Sequence, residues 1–136
     1  MICIYCAGKT QVINSRHQKR ANQVWRRRKC ATCGNVWSTI EAVNYALALA
    51  VRQPTGAIEP FLREKLFISI YESCKHRPNA LEDAEALTST VIGKLLASVQ
   101  DATLPRAVIV STAAGVLENF DHAASVHYQA YHPEVR

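Results

Sequence analysis

The chain has 136 residues, with 16 Lys/Arg against 11 Asp/Glu and a net charge of +5, enough for one ordinary domain or two small ones. It holds no apolar run near the roughly 20 residues of a membrane helix, which excludes a helical membrane span. Its start, Met1-Ile2-Cys3-Ile4-Tyr5-Cys6, has no basic region ahead of an apolar core, so no secretory signal is expected and a cytoplasmic protein is.

The first third is distinct in composition. Residues 1–45 hold eight of the sixteen Lys/Arg and a single acid, Glu41. Their aliphatics larger than Ala up to residue 40 are only Ile2, Ile4, Val12, Ile13, Val24, Val36 and Ile40. Such a segment is too poor in apolar surface to fold alone, and a structural metal would supply the deficit. Val12-Ile13 and Val24-Trp25 read as short strands, His17 to Asn22 as the turn between them, and Val36 to Ile40 as a third strand. A small three-stranded ribbon is expected over residues 1–44.

From residue 45 to about 132 the pattern is that of a second module. Tyr45 to Val51 alternates Leu47, Leu49 and Val51 and reads as a strand. Gln53-Pro54-Thr55-Gly56 reads as a turn, and Ala57-Ile58-Glu59 as the returning strand. Leu62, Leu66, Ile70 and Cys74 recur every four residues and predict a helix from about 62 to 76. Leu87, Val91, Leu95 and Val99 predict another over 81–99. Ile109, Ala113, Val116, Leu117 and Phe120 predict a third over 105–120, with Pro105 in its first turn. The alternation over Ala124 to Tyr131 reads as a last strand. The fold class is therefore α+β: a zinc ribbon, then a mostly helical domain ordered β-β-α-α-α-β.

Four of the five cysteines fall into two pairs, Cys3-x2-Cys6 and Cys30-x2-Cys33. A two-residue gap lets a tight knuckle aim two sulfurs at one ion. In a reducing compartment such pairs read as metal ligands rather than disulfides. Four thiolates close the zinc shell, so the metal is structural and single; iron or a redox dithiol is the alternative. Gly8 and Gly34 follow the pairs, where a knuckle needs a permissive backbone. Cys74 reads as a small buried side chain. No nucleophile–base pair or open metal position is visible, so an enzyme is not expected.

Beside the second pair runs Trp25-Arg26-Arg27-Arg28-Lys29. In a strand Arg26 and Arg28 share one face, and Arg27 and Lys29 the other. With Arg16, Lys19 and Arg20 they form an almost acid-free set that suits a nucleic-acid backbone. The bland alternative is a solvated charged face. Trp25 and Trp37 either stack on bases or pack over the ribbon, and packing is the expectation. In the second module, Glu59-Pro60-Phe61 and Lys65 lie where a turn meets a helix start, which can hold a phosphate; a solvated Lys65 reads equally well.

These residues resemble the NrdR family, bacterial repressors of ribonucleotide reductase operons. The ribbon likeness lies in Cys3-x2-Cys6, Asn14-Ser15-Arg16, Arg26-Arg27-Arg28-Lys29-Cys30-x2-Cys33 and Trp37-Ser38-Thr39-Ile40-Glu41. Glu59-Pro60-Phe61-x-Arg63-Glu64-Lys65-Leu66 and Arg77-Pro78 resemble the ATP-cone that follows in that family. The resemblance implies that Cys3, Cys6, Cys30 and Cys33 hold zinc. It implies that Arg26, Arg27 and Arg28 contact double-stranded promoter DNA, and Arg16 and Lys29 join them in the candidate DNA-binding set. It also implies a cone that binds ATP or dATP and sets the state of a homo-oligomer, in a cytoplasmic, nucleoid-associated protein.

Carried over, Val51, Glu59 and Lys65 line the nucleotide site. Arg52 joins the candidate set, although alternation turns it to the other face of its strand. The family's cone begins Val-x-Lys-Arg-x-Gly, and this chain reads Val51-Arg52-Gln53-Pro54-Thr55-Gly56. Two phosphate-binding cations are thus replaced by Gln53 and Pro54, each lost contact costing about 1–3 kcal/mol. A degenerate cone that oligomerises without nucleotide, or a ribbon that binds protein or RNA, are the alternative readings.

Overall fold

The computed structural model describes residues 1–133 and divides into two compact units, Met1–Val43 and Asn44–Arg136. The first unit is an antiparallel sheet of β1 (Thr10–Gln18), β2 (Gln23–Cys30) and β3 (Val36–Glu41), in that spatial order. The strands β1 and β2 extend well beyond the two-residue cores read from sequence. The turn between them shrinks to residues 19–22, with Asn22 in the left-handed region (φ 48°). A register shift between Val12 and Asn14 leaves Ile13 as the extra residue of a bulge, which re-aims the side chains on either side.

This sheet has almost no apolar core. Within the unit only Cys3 and Cys30 are buried apolar side chains, while Ile2, Ile4, Val12, Ile13, Val36 and Ile40 are exposed. The sheet alone cannot offset the entropy of ordering its chain.

The second unit has a conventional core. One helical turn, α1 (Tyr45–Ala48), precedes β4 (Ala50–Arg52), which pairs with β5 (Ile58–Pro60) as a hairpin. Helices α2 (Arg63–Cys74) and α3 (Ala80–Ser98) follow, then β6 (Thr103–Pro105), α4 (Arg106–Phe120) and α5 (His122–Tyr131). Strand β6 pairs parallel with β4, giving the order β5-β4-β6. The stripes read from sequence meet in the core: Leu66, Ile70 and Cys74 of α2, Leu87, Val91 and Leu95 of α3, Ala113, Val116 and Leu117 of α4. Cys74 is fully buried, and burial pushes its thiol pKa up, as suits a packing residue.

Three local expectations are corrected. Tyr45 to Val51 is not one strand. Leu49 N–H donates to the Tyr45 carbonyl at 2.9 Å, closing a turn that leaves Leu47 exposed and Leu49 buried. Strand β6 stands ahead of the third helix, too short to leave a period in the sequence. Ala124 to Tyr131 is helix, not strand. Its buried residues Ala124, Ser125 and Tyr128 follow helical spacing, and Asp121 caps it by accepting from the Ala124 N–H at 3.2 Å.

Asp121 does more than cap. Its carboxylate also meets His76 Nε2 and Arg77 Nη1, each at 2.9 Å. Arg77 in turn bonds Asp83 at 2.9 Å and lies 4.3 Å over the Phe120 ring. One carboxylate thereby ties the ends of α2 and α4 to the start of α5. His76, Arg77 and the Ala124 amide together hold the Asp121 carboxyl well below the usual carboxylate range. A carboxyl depressed by folding contributes stability above its unfolded pKa, near 4, and loses it as pH falls further. Asp121→Ala is expected to lower the melting temperature of the second unit at neutral pH and to flatten the acid limb below pH about 4. Circular-dichroism melts across pH check this, and parallel wild-type and variant curves at all pH values would exclude the role.

Candidate metal centre and nucleic-acid interface

The two cysteine pairs form matching knuckles. In the first, Cys3 N–H donates to the Gly8 carbonyl at 2.9 Å and Ala7 N–H to the Cys3 carbonyl at 2.9 Å. In the second, Cys30 N–H donates to Asn35 at 2.9 Å and Gly34 N–H to Cys30 at 3.2 Å. The residue after each second cysteine takes a positive φ, 60° at Ala7 and 75° at Gly34. Gly34 does so without strain, whereas Ala7 carries a Cβ in the left-handed region. Gly8 serves the fold differently. A Cβ there would stand 2.6 Å from Thr32 Oγ1 and 3.2 Å from Cys6 Sγ, so this glycine lets the two knuckles close on each other.

The knuckles bring four sulfurs together. Cys3 and Cys33 Sγ lie 3.7 Å apart, Cys6 and Cys30 Sγ 3.5 Å apart, and all four within 4.8 Å of one another. A disulfide would need about 2.05 Å. Four sulfurs each about 2.3 Å from one ion, at tetrahedral corners, stand about 3.8 Å from one another. Donor set and spacing fit zinc. Backbone amides support the thiolates: Tyr5 N–H donates to Cys3 Sγ at 3.3 Å, and Thr32 and Cys33 N–H donate to Cys30 Sγ at 3.3 and 3.4 Å.

The amides of Cys33 and Thr32 lower the Cys30 thiol to about 6. At Cys6 the Gly8 amide also lowers the pKa, but the Cys30 thiol, loss of solvent and the thiols of Cys33 and Cys3 outweigh it and push Cys6 up to about 12. Four thiolates at this spacing repel, and a dication removes the repulsion. Zinc here is a closed structural shell that holds the ribbon. It offers no open position for a substrate.

Strand register sorts the cations. Residues directly opposite one another in an antiparallel sheet share a face. One face carries the rows Ser15–Arg26–Thr39, Val12–Arg28–Trp37 and Thr10–Cys30, and continues into the metal knuckles. There Arg26 donates to Glu41 at 2.7 Å and keeps that carboxyl pKa low. Arg28 is half-buried beside Trp37; its Nε and the Trp37 Nε1 are buried with no acceptor among the described residues. Trp37 packs edge-on against Tyr5, with centroids 6.2 Å apart.

The other face carries Arg16–Trp25–Ile40, Asn14–Arg27–Ser38 and Gln11–Lys29–Val36. Arg16, Arg27 and Lys29 are all exposed, with the Arg16 guanidinium 5.7 Å from the Trp25 centroid. No acid lies on this face, because Glu41, the single acid of residues 1–45, belongs to the opposite one.

In the second unit a cavity of about 310 Å³ brings together Val51, Glu59 and Lys65 of the expected nucleotide set. Arg52 is exposed on the strand and is not in the cavity wall. Gln53 is in the wall, and its Nε2 donates to Glu59 at 3.1 Å. Sequence reasoning missed Arg106, which enters the wall from the first turn of α4 with Tyr128 and His132 of the C-terminal segment. The clue lay in Pro105-Arg106, a basic residue at a helix start, but nothing in the sequence ties that start to residues 51–65.

Both tryptophans lie in the ribbon, so indole fluorescence reports that unit alone. Metal removal by a strong chelator is expected to unfold residues 1–43, seen as a red-shifted emission, while the helical signal of the second unit persists. Loss of both signals together, or of neither, would contradict this separation. Gly8→Ala is expected to weaken zinc retention against a chromogenic chelator. Ala7→Gly is expected to strengthen it by up to about 1 kcal/mol through relief of the left-handed alanine.

Comparison with known proteins agrees with this geometry. Residues 1–41 match the family described as transcriptional repressor NrdR-like, N-terminal domain. The transcriptional repressor NrdR of Symbiobacterium thermophilum is 31% identical over 136 residues, covering 100% of this chain and 89% of that protein. That of Heliobacterium modesticaldum is 32% identical, covering 94% of this chain and 84% of the relative. That of Geotalea uraniireducens is 38% identical over 64% of this chain and 58% of the relative. With a four-cysteine ribbon at its start and likeness running its full length, this chain belongs to the NrdR family, transcriptional repressors and not enzymes.

Proposed function

We propose that this protein is a DNA-binding transcriptional repressor whose zinc ribbon, residues 1–44, contacts duplex promoter DNA through the face bearing Arg16, Arg27 and Lys29. The observation that carries the reading is that acid-free face, built on a metal-held sheet in a chain related to named repressors. Three cations on one side of a short sheet can engage consecutive phosphates, and Trp25 and Ile40 between them offer apolar contact to sugars or base edges. Arg26 and Arg28, on the other face, act mainly by holding Glu41 and packing on Trp37. The targets are ribonucleotide reductase operons, as the family resemblance implies, and the protein acts in the cytoplasm at the nucleoid. No described helix is long and apolar enough to cross a membrane.

Residues 45–132 would then serve as the ATP-cone-like regulator. An adenine nucleotide, ATP or dATP, would sit in the cavity of Val51, Glu59 and Lys65 and bias a homo-oligomer that presents or withdraws the ribbons. A second reading is favoured by one observation: Gln53 occupies the place of a cation and bonds Glu59. On that reading the cone assembles without nucleotide.

Each phosphate contact contributes about 0.9 to the slope of log K against log salt. Arg16→Ala with Arg27→Ala and Lys29→Ala is expected to lower that slope by about 2–3 on promoter duplex. Arg26→Ala should change it by less than one. Gel-shift titrations between low and moderate salt measure this. Equal effects of both variants, or preferential binding of single-stranded RNA, would overturn the assignment.

A further inference from the structure

We infer that Arg106, with Lys65, is the cationic anchor for the phosphate chain of the second unit's ligand, taking the place of the cations absent at Gln53 and Pro54. The inference rests on the nucleotide reading above.

The sheet supplies the geometry. Strands β4 and β6 run parallel, and Arg52 pairs with Pro105. The next residue on each strand, Gln53 and Arg106, therefore leaves the same end of the sheet. Both line the same cavity. A guanidinium is thus delivered beside the position that is neutral here, from a segment distant in sequence.

Charge accounting agrees. Of the cavity's fixed charges, Lys65 and Arg106 are positive and Glu59 is negative. The arginines Arg26, Arg63 and Arg77 are engaged by carboxylates, whereas neither Lys65 nor Arg106 is in an ion pair among the described residues. Glu59 is occupied by the Gln53 amide at 3.1 Å. Burial pushes the Tyr128 phenol up to about 12, and the Ser69 hydroxyl and then the Arg106 charge act against that rise. Two unpaired cations, one a planar fork and one a point charge, suit a polyphosphate better than a neutral ligand.

Calorimetry on the full zinc-loaded chain tests this with ATP, AMP and inorganic tripolyphosphate. Arg106→Gln is expected to weaken ATP roughly tenfold or more, with little change for AMP, so that the gap between them narrows. Arg106→Lys should restore most of the affinity, and Arg52→Gln should leave it unchanged. Arg106 is exposed, and a thermal melt checks that the variants stay folded. ATP binding that ignores Arg106→Gln would overturn the anchor and leave the nucleotide reading intact. Arg106-dependent binding of tripolyphosphate without ATP would uphold the anchor and remove the nucleotide. Binding of neither at millimolar ligand would overturn both.

Discussion

The tetrathiolate centre is the interaction on which the ribbon depends. Residues 1–43 bury no aliphatic side chain, and their interior is two cysteines. An apolar core contributes roughly 25 cal/mol per Å² of buried surface, and here there is too little to matter. A zinc ion bound by four thiolates contributes on the order of 10–16 kcal/mol in small folded fingers. The metal therefore replaces the core. The surrounding backbone is shaped to that end: paired amide–sulfur bonds, a left-handed residue after each knuckle, and Gly8 where the knuckles meet. The Arg16 face gains from this. A sheet held from one side by metal has its other side free for a polyanion.

Strand alternation then divides the basic run. Four consecutive cations look like one feature, but a period of two gives them two fates. Arg27 and Lys29 stay exposed, joined by Arg16 from the neighbouring strand. Arg26 and Arg28 turn toward Glu41 and Trp37. Specific partners on one face leave the other uniformly positive, which is what long-range attraction to a phosphate backbone requires.

Legibility in the sequence followed physical periodicity. The cysteine pairs were readable because ligand spacing is local. Helices α2, α3 and α4 were readable because each buries a stripe that repeats every four residues. Helix α5 was not, because Val126, Tyr128 and Ala130 mimic a two-residue period; its Asp121 cap was the contrary signal. Strand β6 was invisible, being three residues whose partner β4 lies beyond two intervening helices. The same applies to the sites. Val51, Glu59 and Lys65 were named from a linear motif and share one cavity. Arg106 was not, since only the parallel pairing brings it there. Which cations share the acid-free face also required the register, including the bulge at Ile13.

The parallel β4–β6 pairing has a kinetic consequence. Closing it means bringing together segments separated by the whole of α2 and α3, a loop whose entropy must be met before the pairing returns anything. The hairpin β4–β5 and the packed pair α2–α3 are local and can form first. The three-rung parallel ladder, like the packing of α5 on α2, is non-local and is expected to close after them. Only when it closes do Val51 and Arg106 come to share one wall. A small anionic ligand held there would bind the completed fold alone, and would slow unfolding where that ladder must open.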